Sequence, residues 1–345
     1  MTNKVAPTKV TLVDLDGQVV PDWVPQTLER EGVNLVIRQC NTREELAQYG
    51  ADADIVWMFG GSRVLHGGAL EAVPRCWAIV RTGSGTDNVP VEEATARGIV
   101  VANTPAALSD GVSDHVIALV MALVRRLPKG DRDIRAGIFD QTLVHPLNAF
   151  GGRTFGLVGF GHIAREVARK LSGFEMKWLV HDSFVQADQL ATLGIQSVSL
   201  ERLLTESDYI SLHCPLTSST RHLIGGPQLR QMKSTAILIN TSRGPVVDEP
   251  ALVLALTEGW IAAAGLDVFE QEPPARDNSL LKLENVILTP HSAGRSGDGM
   301  EPRWRTSVET VLSLARRHWP PSWVNRDVKP REKLSDCPNS ERRQT

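Results

Sequence analysis

Cysteine is scarce in this sequence. Its 345 residues hold four, Cys40, Cys76, Cys214 and Cys337, widely spaced and without a CxxC pair. That excludes a disulfide framework and leaves reduced thiols in a cytoplasm as the natural reading. The nine histidines form no HxxxH pair and no cluster with cysteine or acid, so no metal site is expected. Excess charge of one sign is lacking as well. A net charge of −3 offers no electrostatic case for nucleic acid. Long apolar runs are missing too: the longest, residues 116–124, is nine residues and stops at Arg125-Arg126, too short to span a bilayer. The N-terminus carries no apolar h-region, so no secretory signal is expected.

What remains is an ordinary globular composition, 42% apolar and 22% charged, at a length that suits two domains. Residues 9–104 alternate short apolar strands (10–13, 35–37, 55–59, 78–81, 99–102) with helical stretches near 24–31, 43–49, 69–73 and 91–97. Such alternation implies a parallel sheet covered by helices. Two strands run into glycine-bearing loops, Phe59-Gly60-Gly61-Ser62 and Thr82-Gly83-Ser84-Gly85. Ligands lie beyond the carboxyl ends of strands in such sheets, so both loops are candidate site walls, though each also reads as a plain βα turn. Thr104-Pro105 breaks the pattern, and Ser109 or Asp110 can cap the long helix that follows. Val112, Val116, Leu119, Val120, Leu123 and Val124 share one face of that helix, which ends near Leu127-Pro128 and connects two domains. Residues 139–153 read as irregular.

The stretch from Thr154 to Asp182 is the most informative. An apolar strand ending at Val158 meets Gly159 and Gly161, then a helix with Ile163, Val167 and Leu171 four apart, then a second strand ending at Asp182. This is the G-x-G-x-x-A dinucleotide fingerprint, with Ala164 in the third place. The glycines let backbone N–H groups approach a pyrophosphate at a helix N-terminus. Asp182, 18 residues past Ala164, is placed to accept hydrogen bonds from a ribose diol and to repel a 2′-phosphate. No Arg or Lys follows until Arg202, so NAD is expected rather than NADP.

After Asp182 the alternation continues, with helices over 187–193 and 199–207 and strands over 196–198 and 209–213. Three further strands, 236–240, 263–269 and 286–289, each end in a polar group: Arg243, Glu272 and His291. Parallel strands put all three on the cofactor edge. An NAD enzyme acting on a small hydroxy acid needs a cation for the carboxylate, and the planar fork of Arg suits that. It needs a general base for the hydroxyl proton, and His titrates in the useful range. A carboxylate beside the His orients the ring and raises its pKa. Taken singly, each of the three is also readable as a surface or structural residue.

These runs, with Gly-Ser-Gly-Thr-Asp-Asn from Gly83, His-Cys-Pro-Leu-Thr from His213, Ile-Asn-Thr-Ser-Arg-Gly-Pro-Val-Val-Asp-Glu from Ile239, Gly-Leu-Asp-Val-Phe-Glu-Gln-Glu-Pro-Pro from Gly265 and Asn-Val-Ile-Leu-Thr-Pro-His from Asn285, carry a family resemblance. Over roughly residues 10–325 the chain resembles the NAD-dependent D-2-hydroxyacid dehydrogenases, the group with phosphoglycerate dehydrogenase and hydroxypyruvate reductase. The resemblance implies an α/β fold of two Rossmann-like domains. A flavodoxin-like substrate domain (1–104 and 295–330) would surround an inserted NAD-binding domain (105–294) with a doubly wound parallel sheet. It implies catalysis by Arg243, Glu272 and His291. Cofactor contacts are implied at Ser84, Gly159, Gly161, His162, Ile163, Asp182, Cys214, Thr241, Ser242, Arg243, Asp267, His291 and Gly294. Substrate contacts are implied at Phe59, Gly60, Gly61, Ser84, Gly85 and Arg243. The expected ligand is a small 2-oxo or 2-hydroxy acid, and the expected assembly a cytoplasmic homodimer without nucleic acid or membrane. The two domains are expected to close over the substrate, a motion that can limit turnover.

Several departures shape these expectations. The Phe59-Gly60-Gly61-Ser62 loop differs from the Val-Arg-Ser type, and no C-terminal regulatory domain is visible, which points away from a dedicated phosphoglycerate dehydrogenase. Glu272 points away from formate dehydrogenases, which carry Gln there. After His291 the chain is glycine-rich, and Arg295 or Trp304 could reach the substrate. The tail is polar from Arg326, and from 331 to 345 it is expected to be disordered, with Cys337 an exposed thiol. The same triad is compatible with oxidation of a non-carboxylate such as phosphite. It is also compatible with an NADH-responsive scaffold similar to C-terminal-binding-protein-like corepressors.

Overall fold

Short β-branched runs buried on both faces build this fold, the pattern that parallel sheets covered by helices demand. A computed structural model of the chain describes residues 7–336, apart from 16, 62–63, 67, 145–146 and 296–298. The chain divides into two compact units, one of Met1–Leu108 with Gly297–Thr345, the other Ser109–Ser296.

The first unit contains β1 (Thr8–Asp14), α1 (Trp23–Arg30), β2 (Val33–Ile37), α2 (Arg43–Gly50), β3 (Ile55–Met58), β4 (Ala78–Arg81), α3 (Val91–Ala96) and β5 (Val100–Asn103). Its sheet is parallel with order β2-β1-β3-β4-β5, the flavodoxin-like arrangement. Helix α2 starts on a capping box, in which Thr42 Oγ1 accepts the Glu45 N–H and the Glu45 carboxylate accepts the Thr42 N–H.

The second unit opens with α4 (Ser109–Val124) and α5 (Leu127–Arg135). One long helix to about Leu127 was the expectation. Arg126 instead takes a left-handed φ of 50°, which ends α4, and Pro128 then suits the first turn of α5. Pro105–Val124 taken as one stretch has the length and hydropathy of a membrane span. The apolar stripe of α4, with Val116, Leu119 and Val120, packs into the core of this unit. There follow β6 (Thr154–Val158), α6 (His162–Lys170), β7 (Lys177–His181), α7 (Ala187–Ala191), β8 (Gln196–Ser197), α8 (Leu200–Glu206) and β9 (Tyr209–Leu212). The unit ends with α9 (Gly226–Gln231), β10 (Ile237–Asn240), α10 (Glu249–Thr257), β11 (Ala263–Leu266) and β12 (Val286–Leu288). All seven strands are parallel, in the order β8-β7-β6-β9-β10-β11-β12. The order reverses between β6 and β9, which is the switch point of a doubly wound dinucleotide fold.

The chain then returns to the first unit as α11 (Met300–Ala315). Trp304, Val308, Val311 and Leu314 of α11 pack on the first sheet with Trp57 and Phe59. Asn325 pins the segment beyond it: Oδ1 accepts the Val101 N–H at 2.9 Å, while Nδ2 donates to Thr95 Oγ1 and Ile99 O. Residues 331–336, expected as part of a disordered tail, are mostly exposed but are tied to the first unit by hydrogen bonds. The Arg331 guanidinium donates to the carbonyls of Arg97, Pro74 and Cys76, three acceptors that the strand and turn ends leave open. Residues 337–345, Cys337 included, lie outside the described part.

Candidate active site

The cofactor edge is built by close backbone approach. Gly159 leaves β6 at φ +89°, and a Cβ there would stand 2.9 Å from the Cys214 nitrogen and the His213 carbonyl carbon, just past β9. Only glycine satisfies both limits. Gly161 caps α6 without a side chain, and a Cβ there would meet nothing within 4 Å. His162 and Ile163 form the first turn of the helix. Asp182, just past β7, accepts the N–H groups of Phe160 (2.7 Å), Phe184 (2.7 Å) and Val185 (3.0 Å). The fingerprint turn and its acid are therefore tied together.

Past β9, burial pushes the His213 imidazole down to about 3, and its Nε2 is buried without a partner. Burial, followed by the nearby Asp182 charge, pushes the Cys214 thiol up to about 11, so it stays neutral. Past β10, Thr241 Oγ1 is also buried without a partner. Open space at a helix N-terminus, a glycine cradle and orphaned polar atoms on one sheet edge fit a dinucleotide.

Past the same edge stands the charged set. His291 Nδ1 lies 2.7 Å from Glu272 Oε2, and Glu272 Oε1 accepts the Phe269 N–H at 3.1 Å. Burial works to raise the Glu272 pKa. The His291 hydrogen bond and charge, the Phe269 N–H and the Arg243 charge outweigh it and hold the carboxyl below its usual value. His291 itself sits at φ +49°, a left-handed conformation that a non-glycine residue keeps only when its surroundings impose it. Here they do, because the His291 N–H donates to Asp267 O at 2.8 Å.

Asp267, expected at the cofactor, spends its carboxylate on the His291 loop. It is 1% exposed and accepts Thr289 Oγ1–H (2.6 Å), Ser292 N–H (2.9 Å) and Ala293 N–H (2.9 Å). Gly294 follows in the turn closed by the Arg295 N–H on Ser292 O.

The Thr241–Arg243 turn hangs on Asn240, a buried residue that the sequence reading missed. Its Oδ1 accepts both the N–H and the hydroxyl of Ser242, and its Nδ2 donates to Arg243 O. Arg243 Nη1 donates to Ser242 O at 2.8 Å. A Cβ on Gly244 would fall 1.9 Å from the Phe269 carbonyl, so the Arg243 loop rests directly on the loop that leads to Glu272. A second His–Glu pair, His222 Nε2 with Glu270, closes the same junction, while the His222 N–H donates to Pro245 O. The structure therefore brings Arg243, Glu272 and His291 onto adjoining loops of one unit.

The other expected residues belong to the first unit. The Phe59 ring is 0% exposed, with its centroid 4.1 Å from that of Trp304, so it is a core side chain and leaves only its backbone for a ligand. Trp304, 1% exposed, is likewise core, so its ring does not reach a substrate as expected. Gly60 is fixed on both sides: its N–H donates to Asp14 Oδ2 (3.1 Å) and its carbonyl accepts from Asn88 Nδ2 (3.0 Å). Gly61 is exposed, and Ser62 lies outside the described residues. Ser84 O accepts from Asn103 Nδ2, and Gly85 follows it, half-buried. Among the described residues, no three His, Cys, Asp or Glu side chains gather as metal ligands.

Residues 117–293 match the family described as D-isomer specific 2-hydroxyacid dehydrogenase, NAD binding domain. A glyoxylate reductase of Korarchaeum cryptofilum is 48% identical over 263 residues, covering 75% of this chain and 79% of that protein. A solved glyoxylate reductase from Paecilomyes thermophila superposes with a TM-score of 0.83 at 29% identity, covering 93% of this chain and 99% of the other. A D-lactate dehydrogenase from Aquifex aeolicus, complexed with NAD and lactic acid, gives 0.78 at 30% identity, covering 89% and 95%. With the fingerprint, the sheet order and the charged set in agreement, the chain belongs to the D-isomer specific 2-hydroxyacid dehydrogenases, NAD-linked oxidoreductases of the CH–OH group.

Proposed function

We propose that this chain reduces a small 2-oxo acid of the glyoxylate class with NADH and oxidises the D-2-hydroxy acid in reverse. The observation that carries the roles is the 2.7 Å contact between His291 Nδ1 and Glu272. A carboxylate accepts only, so Nδ1 holds the proton and Nε2 is left to exchange one with substrate. In reduction, His291 Nε2–H gives its proton to the carbonyl oxygen. In oxidation, neutral Nε2 takes the hydroxyl proton. Glu272 orients the ring and stabilises the imidazolium. Arg243 binds the carboxylate through its planar fork. When bound, NADH would supply the hydride to C2 in reduction and NAD+ would accept it in oxidation.

The second unit is the cofactor domain in this reading, and the Phe59–Gly61 and Gly83–Gly85 loops of the first belong to the substrate domain. Gly159, Gly161, His162 and Ile163 take the pyrophosphate, Asp182 the ribose diol, and Cys214 and Thr241–Arg243 the nicotinamide half. NAD is preferred because the Asp182 carboxylate meets any 2′-phosphate, and Arg202 is already engaged with Glu206 at 2.7 Å. The assembly is a cytoplasmic homodimer joined through α5. That helix buries none of its residues within the chain, and Leu127, Ile134, Ile138 and Phe139 are exposed along and just after it. Among the described residues, Cys40, Cys76 and Cys214 are free and buried, in keeping with a reducing compartment.

The test is NADH oxidation against glyoxylate, hydroxypyruvate, pyruvate, 2-oxoglutarate and bulkier 2-oxo acids. The expected result is turnover of a short 2-oxo acid, with kcat/KM lowered about 100-fold or more in His291→Ala and Arg243→Ala. Tight NADH binding without reduction of any 2-oxo acid would sink the proposal in favour of a scaffold or a phosphite-type substrate.

A further inference from the structure

A hydrogen-bonded chain runs from α4 to the loop that carries His291. It starts at Asp267, whose buried carboxylate can only accept. Thr289 Oγ1, 2.6 Å from Asp267 Oδ1, must donate its one proton there. Its oxygen is then left as an acceptor. His115 Nε2 lies 3.0 Å from that oxygen and must be the donor. The tautomer follows by exclusion: His115 carries a proton on Nε2. The same nitrogen is 3.6 Å from Asp267 Oδ1, so the ring sits over the junction of β11 and β12.

We propose that His115 is a positioning residue for proton transfer at His291. By committing the Thr289 hydroxyl to Asp267, it holds the span from Thr289 to Ala293 in one arrangement. Asp267 grips that span at Thr289, Ser292 and Ala293 through its carboxylate and at His291 through its carbonyl. His291 is thereby kept at its left-handed φ with Nδ1 on Glu272. The placement in the chain adds to this. α4 begins at Ser109, where the chain enters the second unit, and the His291 loop ends at the exit from it after 296. The bond from His115 to Thr289 ties the entering helix to the departing loop. Packing alone does not call for a histidine here, because the side chain is 23% exposed while the apolar stripe of α4 fills the core beside it.

The inference rests on the reading of His291 as the acid–base, and the test separates the two. His115→Leu removes the donor. His115→Gln keeps an amide N–H at about the same reach. In His115→Leu, kcat for glyoxylate reduction is expected to fall about tenfold, with NADH affinity by fluorescence titration held within about twofold. KM for glyoxylate should stay within about twofold, so that the loss falls on kcat. His115→Gln should recover kcat to within about threefold of the native enzyme. Long-range proton–nitrogen NMR of the native protein should report His115 protonated on Nε2.

A His115→Leu enzyme with native kcat overturns the proposal, as does an Nδ1–H tautomer. Equal losses of kcat and thermal stability in Leu and Gln variants also overturn it, in favour of simple packing. A His291→Ala enzyme that keeps its turnover removes the acid–base reading instead, whatever the His115 results.

Discussion

At the residue scale, opposed influences act on Glu272, and their balance sets a pH dependence. Burial raises its pKa, but His291, the Phe269 N–H and Arg243 together bring it below the ordinary 4.5. A folded pKa lower than the unfolded one means that the pair stabilises fully above the unfolded value. That contribution is lost as pH falls through the lower folded value. Activity at the acid end should therefore persist below the ordinary carboxylate range. Glu272→Gln should lower kcat about 10–100-fold, as steady-state kinetics would record. Asp182 gives a second prediction. Because its carboxylate also holds the Phe160 N–H, Asp182→Ala should weaken NADH binding about tenfold without creating NADPH preference, since Arg202 is already engaged with Glu206. Titration with both cofactors checks this. Arg243, Glu272 and His291 were legible in the sequence because each follows a strand whose polarity is easily read. Asn240, the His222–Glu270 pair and the structural use of Asp267 were not, because their partners are chosen by loop geometry.

At the scale of elements, the loops after β10 and β11 act as one piece. The Phe269 carbonyl lies where a Gly244 Cβ would be, at 1.9 Å, and backbone cannot move aside as a flexible side chain would. Gly244→Ala should destabilise the protein by about 1–3 kcal/mol and part Arg243 from Glu272. Its kcat/KM should fall about 100-fold while NADH still binds. Denaturant unfolding and steady-state kinetics would check both arms, and native kinetics would refute the coupling. The strands themselves were readable from their apolar runs, and α2, α8 and α10 start on Thr42, Ser199 and Asp248 caps. The end of α4 was readable to within a few residues from Pro128, but the left-handed φ of 50° at Arg126 and the second helix α5 were not, because Arg126 is no helix breaker by type.

At the scale of the whole molecule, the unpartnered face of α5 bears on assembly. Phe139 is 85% exposed just past that helix, and a cavity of about 470 Å³ opens near its start, lined by Leu123, Pro128, Tyr209, Ile237 and Val286. This cavity is at the amino ends of the strands, opposite the edge with the chemistry, so its size does not make it the active site. Phe139→Asp with Ile134→Asp should convert a dimer to a monomer in light scattering while the Gly159 turn still binds NADH. A native enzyme that is already monomeric would refute this. The segment beyond α11 shows the limit of reading composition: a polar tail looks unable to order itself, yet Arg331 finds three carbonyls that only the folded first unit brings together. The sequence by itself determined the alternation of strands and helices, the dinucleotide turn, the polar residues at the strand ends and the family. Those depend on period, on glycine and on the order of residues along one chain. Tertiary structure alone decided the sheet orders and the removal of Phe59 and Trp304 to the core. It also decided which donors Asp267, Asp14 and Asn240 would serve. A hydrogen bond or a packed ring needs its partner at a set distance, and that distance exists only after strands far apart in sequence have been laid side by side.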